Sequence, residues 1–293
     1  VTAVEFKLDW QKWFERWERM QNCYIPRRLD RFALMLKLPG FPREAEVRIL
    51  DLGCGPGSLS IFALEHYPNA RIVAVDFDPV LLAMGREVVG GMSDRIEFKH
   101  VDIREGGWWG AYEGAFDLVL SATALHWLSA ERLAQTYRRV YRALKPGGWF
   151  LNSDHVASDS PEMQARYRRM LQERQEGAFR ATGADDWDGF WEALRKELRR
   201  VGFPELRSET ESWEGSEDGR PRQFCLDSLR GCRFEQVEVH WQELGEAVIG
   251  ARKPAASAPF HTLAGAFSDE SSGREARLKP AAKTETAGPK TTS

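Results

Sequence analysis

The stretch Val47–Ser60, VRILDLGCGPGSLS, constrains this chain more than any other. An apolar strand pattern runs into glycines at every second position, Gly53, Gly55 and Gly57, and apolar residues resume behind Ser58. A strand passing through a tight glycine turn into a helix is the opening of a βαβ unit, which commits the chain to a parallel sheet with right-handed crossovers. Backbone N–H groups converge where such a helix starts, so the turn is a ligand site. Asp51 stands just ahead of the first glycine, and its carboxylate repels a phosphate but attracts a cation.

The rest of the chain keeps the rhythm. RIVAVD, RIEFKHVD, FDLVLSA and WFLNS read as four further strands, and Asp78-Pro79 and Ser129 cap the helices between them. After the helix RQFCLDSL, the segments EQVEVH and EAVIGAR read as an antiparallel hairpin turning at Glu243-Leu244-Gly245. This predicts an α/β protein with seven mostly parallel strands. Outside the sheet lie two N-terminal helices: one capped by Asp9 with Trp10, Trp13, Phe14 and Trp17 on one face, and one presenting Leu29, Phe32, Ala33 and Leu36. Two more amphipathic helices, from Pro161 and from Trp187, form an insert. The reading divides the chain into an N-terminal helical lid (1–46), a ligand-binding core (47–154), a helical insert over the acceptor (155–220), the end of the core (221–253) and a disordered tail (254–293).

Charge and composition exclude several classes. A net charge of −3 leaves no electrostatic footprint for nucleic acid, and the arginine clusters are interleaved with acids. No apolar run reaches membrane-spanning length, and the first residues lack the basic and apolar regions of a secretory leader. Four cysteines without a C-x-x-C pair read as reduced thiols in a cytoplasmic protein, and no metal is indicated.

Asp51 decides the ligand of the turn. A dinucleotide would set its pyrophosphate beside this acid, whereas S-adenosylmethionine carries an ammonium and a sulfonium and no phosphate. DLGCGPG resembles the D/E-x-G-x-G-x-G signature of the class I, Rossmann-like S-adenosylmethionine-dependent methyltransferases. VAVDFDP, HVDI, FDLVLSATALHWLS, LKPGGWFLNSDH and the final hairpin are similar in order to that core. The resemblance implies that Asp51 and Gly53, Gly55 and Gly57 hold the amino-acid end of the cofactor, with the backbone of Ser121 beside it. It implies that Asp76 takes the ribose hydroxyls with Phe77 packed on adenine, and that Asp102 accepts from the adenine amino group with Ile103 lining the base. Asp78, followed by Pro79, reads instead as a helix cap, and Cys54 as a small residue filling the turn.

Methyl transfer needs alignment, exclusion of water and, for an acceptor of high pKa, a base. His126, in ATALHWLS after the fourth strand, and His155, in NSDHV after the fifth, fall on the carboxyl edge where ligands of such sheets bind. His126 is read as a neutral base and His155, beside Asp154, as a protonated group that orients the acceptor. The absence of an N-P-P-Y tetrad and of a Pro-Cys pair, together with a roof of aromatic helices, favours a small-molecule acceptor. A NAD-dependent oxidoreductase and a cofactor-binding module without catalysis stay open as alternatives.

Overall fold

The computed structural model describes residues 8–90, 93–203 and 214–255; the first seven residues, the polar stretch 204–213 and the tail from 256, read above as disordered, lie outside these. The strands are β1 (Arg48–Leu52), β2 (Arg71–Asp76), β3 (Ile96–His100), β4 (Phe116–Ala122), β5 (Leu144–Ala157), β6 (Arg220–Pro221), β7 (Glu235–Glu243) and β8 (Glu246–Arg252). They form one sheet in the order β3-β2-β1-β4-β5-β8-β7, with β6 beside β5. β1 to β5 are parallel to one another, and β8 runs antiparallel to both β5 and β7.

The sheet departs from the sequence reading at β5. Lys145–Gly148, ahead of the expected strand WFLNS, and His155, read as lying past it, are both inside β5. Pairing extends the strand: His155 stands opposite Glu246 of β8, and Val156–Ala157 pair with the two-residue β6, the eighth strand.

Among the described residues eight α-helices accompany the sheet: α1 (Trp10–Tyr24), α2 (Arg28–Lys37), α3 (Ser58–His66), α4 (Pro79–Gly90), α5 (Ala130–Ala143), α6 (Pro161–Thr182), α7 (Trp187–Arg200) and α8 (Arg222–Gly231). Their starts are local chemistry. Asp9, Ser129, Ser160 and Asp186 each accept from the backbone N–H three residues on, and Asp78 accepts from Val80 and Leu81, at about 1 kcal/mol per cap. Side chains alternate across each strand, so Leu50, Val119 and Phe150 meet α5 and α8 on one face while Ile49, Leu120 and Leu151 meet α2 and α3 on the other.

A third apolar cluster lies away from the sheet. Trp10, Trp13, Trp17 and Met20 of α1 pack with Val80, Leu81 and Met84 of α4 and with Phe190, Trp191 and Leu194 of α7. Arg16 grips Asp185 with two hydrogen bonds of 2.9 Å, and Tyr24 accepts from the Trp187 N–H, so α1 and the insert are joined by polar as well as apolar contacts. On α2 the buried face is rotated from the expected one. Leu29 is 49% exposed, while Arg28 and Arg31 are buried with Phe32, Met35 and Leu36. Ion pairs to Glu18 and Glu246 hold the two arginines inward.

Candidate active site

The carboxyl ends of β1, β2, β4 and β5 converge on the glycine turn and on the 3-10 turn Leu125–Trp127 that follows β4. Gly53, Gly55 and Gly57 all take left-handed backbone angles, φ +68°, +54° and +89°. Gly53 has a second reason to be glycine: a Cβ there would stand 2.3 Å from the Cβ of Ala124. The N–H groups of Gly53 and Cys54 both bond to the Val75 carbonyl, which ties the turn to β2. Cys54 is buried and its thiol is pushed well up by burial and by the charges of Asp76 and Asp51, which suits a packing residue and not a nucleophile.

Asp51 and Asp76 lie beside this turn, 1% and 8% exposed. Asp51 accepts from the Ser60 hydroxyl at 2.7 Å; burial outweighs that bond, the Asp76 charge adds to it, and the carboxyl is pushed up to about 7. Asp76 accepts from the Gly55 N–H at 2.7 Å and the Asp78 N–H at 2.9 Å, and burial still raises it to about 6. Two carboxylates raised by burial at one turn make a site that gains from a cation.

The other expected cofactor contacts are spread along the same edge. Phe77 is half-buried, and its carbonyl lies 2.8 Å from His100 Nε2. Ser121 is fully buried, and its hydroxyl donates to the Leu52 carbonyl at 2.8 Å, so its side chain joins β4 to β1. Asp102 does not present a free carboxylate: Arg104 holds it through Nε, Nη2 and its backbone N–H, with bonds of 2.6–2.9 Å. Partial burial would raise Asp102, but Arg104 holds it below the usual carboxylate range. Ile103 packs partly buried against the core, and its carbonyl accepts from Arg139. A cavity of about 460 Å³ opens here, lined by Asp102, Arg104, Arg132, Arg139 and Glu214.

The two histidines are brought together, with ring centroids 4.6 Å apart and planes at 83°. Their carboxylate partners differ from the sequence reading. Asp154 pairs with the ring of His126 and only with the backbone of His155: its Oδ1 lies 2.6 Å from His126 Nδ1 and accepts from the His155 N–H, and its Oδ2 accepts from the His126 N–H. Burial would raise Asp154, but the charge and hydrogen bond of His126 hold it low. An ionised carboxylate only accepts, so Nδ1 carries the proton of this hydrogen bond and Nε2 is left facing away from Asp154.

His155 pairs with Glu246, Nδ1 to Oε1 at 2.6 Å. Burial would lower His155, yet Glu246 and then Asp154 outweigh it and the imidazolium is favoured. Glu246 also takes Arg31 Nη1 at 2.5 Å, and Arg31 Nε donates to Ser153 at 2.7 Å. An enclosed void of about 10 Å³ lies beneath the histidines, and Asn152, Tyr137 and Arg220 line it too. Gly219, at φ +73°, crosses against the His155 carbonyl, where a Cβ would come within 2.1 Å, so this stretch closes over the histidines only as glycine.

Glu246, Arg31, Glu18 and Arg104 were not singled out by the sequence. A charged residue on the apolar face of α2 signals a buried partner, and the pairing of the final hairpin with β5 sets the residue after Gly245 opposite His155. Trp108 and Trp109 stack on each other at 4.2 Å against the core, while Trp187 is 40% exposed. Among the described residues there is no cluster of three or more metal-ligating side chains and no helix long and apolar enough to cross a membrane.

Residues 49–148 match the family described as "Methyltransferase domain". The chain is 28% identical over 162 residues to malonyl-[acyl-carrier protein] O-methyltransferase of Geobacter sulfurreducens, covering 53% of this chain and 55% of that protein. It is 35% identical over 97 residues to trans-aconitate 2-methyltransferase of Streptomyces avermitilis, covering 32% and 34%. The chain thus spans about half the length of the curated relatives it matches, or less. A provisionally assigned O-methyltransferase from Nostoc punctiforme shares the fold at a TM-score of 0.52 and 18% identity, over 86% of this chain and 63% of that one.

Proposed function

We propose that this chain, which belongs to the class I S-adenosylmethionine-dependent methyltransferases through its domain at residues 49–148, transfers a methyl group to a small-molecule acceptor. The observation that carries the reading is the pair of buried carboxylates at the glycine turn. Asp51 and Asp76, raised to about 7 and about 6, both gain from a cationic ligand, whereas a pyrophosphate would meet two negative charges. That disfavours a dinucleotide and with it the oxidoreductase alternative. The site fits the cofactor's ends: Asp51 and the turn of Gly53, Gly55 and Gly57 would take its amino-acid end, Asp76 its ribose, and Phe77 and Ile103 its base, while Asp102 would serve the base only if Arg104 released it. When bound, S-adenosylmethionine supplies a methyl group on an already activated sulfonium.

The chain's own residues do the remaining work. Asp154 fixes the His126 ring with Nε2 as acceptor, so His126 removes the proton of an acceptor hydroxyl or amine. His155, held as imidazolium by Glu246, orients an anionic or polar acceptor through its other nitrogen. Two of the relatives are named for malonyl-[acyl-carrier protein] and trans-aconitate, both acids, which accords with a cationic orienting group.

Calorimetry with S-adenosylmethionine and with NAD tests the cofactor, followed by a screen of carboxylic and hydroxylated small molecules with labelled cofactor. Binding of S-adenosylmethionine and not NAD, with label transferred to an acceptor, supports the proposal. Binding without transfer to any acceptor leaves the inactive binding module, and tight NAD binding overturns it.

A further inference from the structure

The glycine turn is covered by the chain's own first helix. Trp17 Cζ2 lies 3.6 Å from where a Cβ of Gly55 would stand. The next residue, Glu18, accepts a hydrogen bond from the hydroxyl of Ser58, the first residue of α3. Both oxygens of Glu18 are also held by Arg28, at 2.7 and 3.1 Å. The Arg28 side chain is only 5% exposed, so this guanidinium cannot be left without an anion; Glu18 is 26% exposed. Close by, Asp76 spends one oxygen on the Gly55 N–H. Two side chains and a backbone group of the turn are thus engaged from within, and the anion beside the turn belongs to the chain itself.

We infer that Arg28 and Ser58 receive the carboxylate of the ligand's amino-acid end, and that Glu18 is an internal stand-in which that carboxylate displaces. The inference rests on the reading of the glycine turn as the S-adenosylmethionine site. Exchange of one carboxylate for another keeps Arg28 paired throughout, so the swap avoids the penalty of an uncompensated buried charge. The helix itself does not leave. Trp10, Trp13, Trp17, Met20 and Cys23 are all buried on α1, and unseating five such side chains would cost as much as the stability of an ordinary domain. Glu18 instead turns outward on the spot, which its partial exposure permits. Because the competitor is part of the chain, it weakens the apparent affinity by the fraction of molecules in which it is seated.

The test compares two ligands by calorimetry. S-adenosylhomocysteine carries the amino-acid end, and 5′-methylthioadenosine has the same nucleoside and thioether without it. In Glu18→Gln the homocysteine ligand should bind about tenfold tighter, and 5′-methylthioadenosine within about twofold of wild type. Arg28→Gln alone would remove support from competitor and ligand together, so it is made in the Glu18→Gln background. There it should weaken S-adenosylhomocysteine by about tenfold and leave 5′-methylthioadenosine unchanged. The double variant removes the buried guanidinium together with its partner, which protects its fold. If Glu18→Gln leaves S-adenosylhomocysteine unchanged or weaker, or shifts both ligands equally, the displacement is refuted while the cofactor reading stands. If wild type binds neither ligand, the cofactor reading itself falls.

Discussion

Replacing Gly53 with alanine separates two costs that the structure predicts independently. The first is conformational: at φ +68° an L-residue loses roughly 1–2 kcal/mol. The second is steric, because the new methyl would stand 2.3 Å from Ala124 Cβ, about 0.7 Å inside the 3.0 Å that real Cβ contacts reach. Overpacking of this kind costs about 1–3 kcal/mol once the loop shifts. Together they amount to roughly 2–5 kcal/mol, or about 5–15 °C in Tm for a domain of this size. Gly183 supplies the control. It has a similar φ of +61° but nothing within 4 Å of its would-be Cβ, so Gly183→Ala should carry only the first cost, a few degrees. Adding Ala124→Gly to Gly53→Ala should then recover the steric share and leave the conformational one, measured against Ala124→Gly alone by thermal denaturation. Equal melting of the Gly53 and Gly183 variants, or no rescue by Ala124→Gly, would refute the reasoning.

Three further outcomes are expected. Asp51 has a folded-state pKa near 7, above its unfolded value of 3.8, so its contribution to stability is present at low pH and lost as pH rises from about 4 to 7; Asp51→Asn should raise Tm at pH 8 and do so less at pH 4, by differential scanning calorimetry. Glu246→Gln strands Arg31 and His155 and should cost about 3–5 kcal/mol. Because Glu246 raises His155 above its unfolded value of about 6.5, that loss should be larger at pH 5.5 than at pH 9, as read from denaturant midpoints. Asp154→Asn no longer enforces the His126 tautomer, so under the proposed function kcat should fall by at least about tenfold while the dissociation constant for S-adenosylhomocysteine stays within twofold; a change in affinity without a change in kcat would remove the dyad from the chemistry.

Legibility in the sequence followed the range of the physics. The caps at Asp9, Asp78 and Ser129 are formed between residues two or three apart, and each was readable in place. Strand order followed from apolar runs and the crossovers between them. The buried face of α2 was not readable, because it is set by ion pairs from Arg28 to Glu18 and from Arg31 to Glu246, the latter 215 residues away in the chain. The partners of the two histidines were missed for a related reason. Asp154 neighbours His155 in sequence, but successive residues of a strand point to opposite faces, so its carboxylate meets His126 instead. At Asp102 a local signal was present and unused: Arg104, two residues on, clamps the carboxylate expected to face the base.

The placement of β8 between β5 and β7 dictates how the chain must be assembled as it leaves the ribosome. Among the described residues, the strand made last enters the interior of the sheet, not its rim. Between the end of β5 at Ala157 and the start of β8 at Glu246 the ribosome needs roughly 5–20 s. Throughout that interval one flank of β5, with Trp149, Phe150 and Leu151, stands open as an unpaired edge of the kind that recruits other chains. Arg31 has no carboxylate in the same interval, since Glu246 has yet to be made. One residue therefore ends both exposures: when Glu246 docks opposite His155, it starts the pairing that seals the edge and supplies the anion the interior has been waiting for.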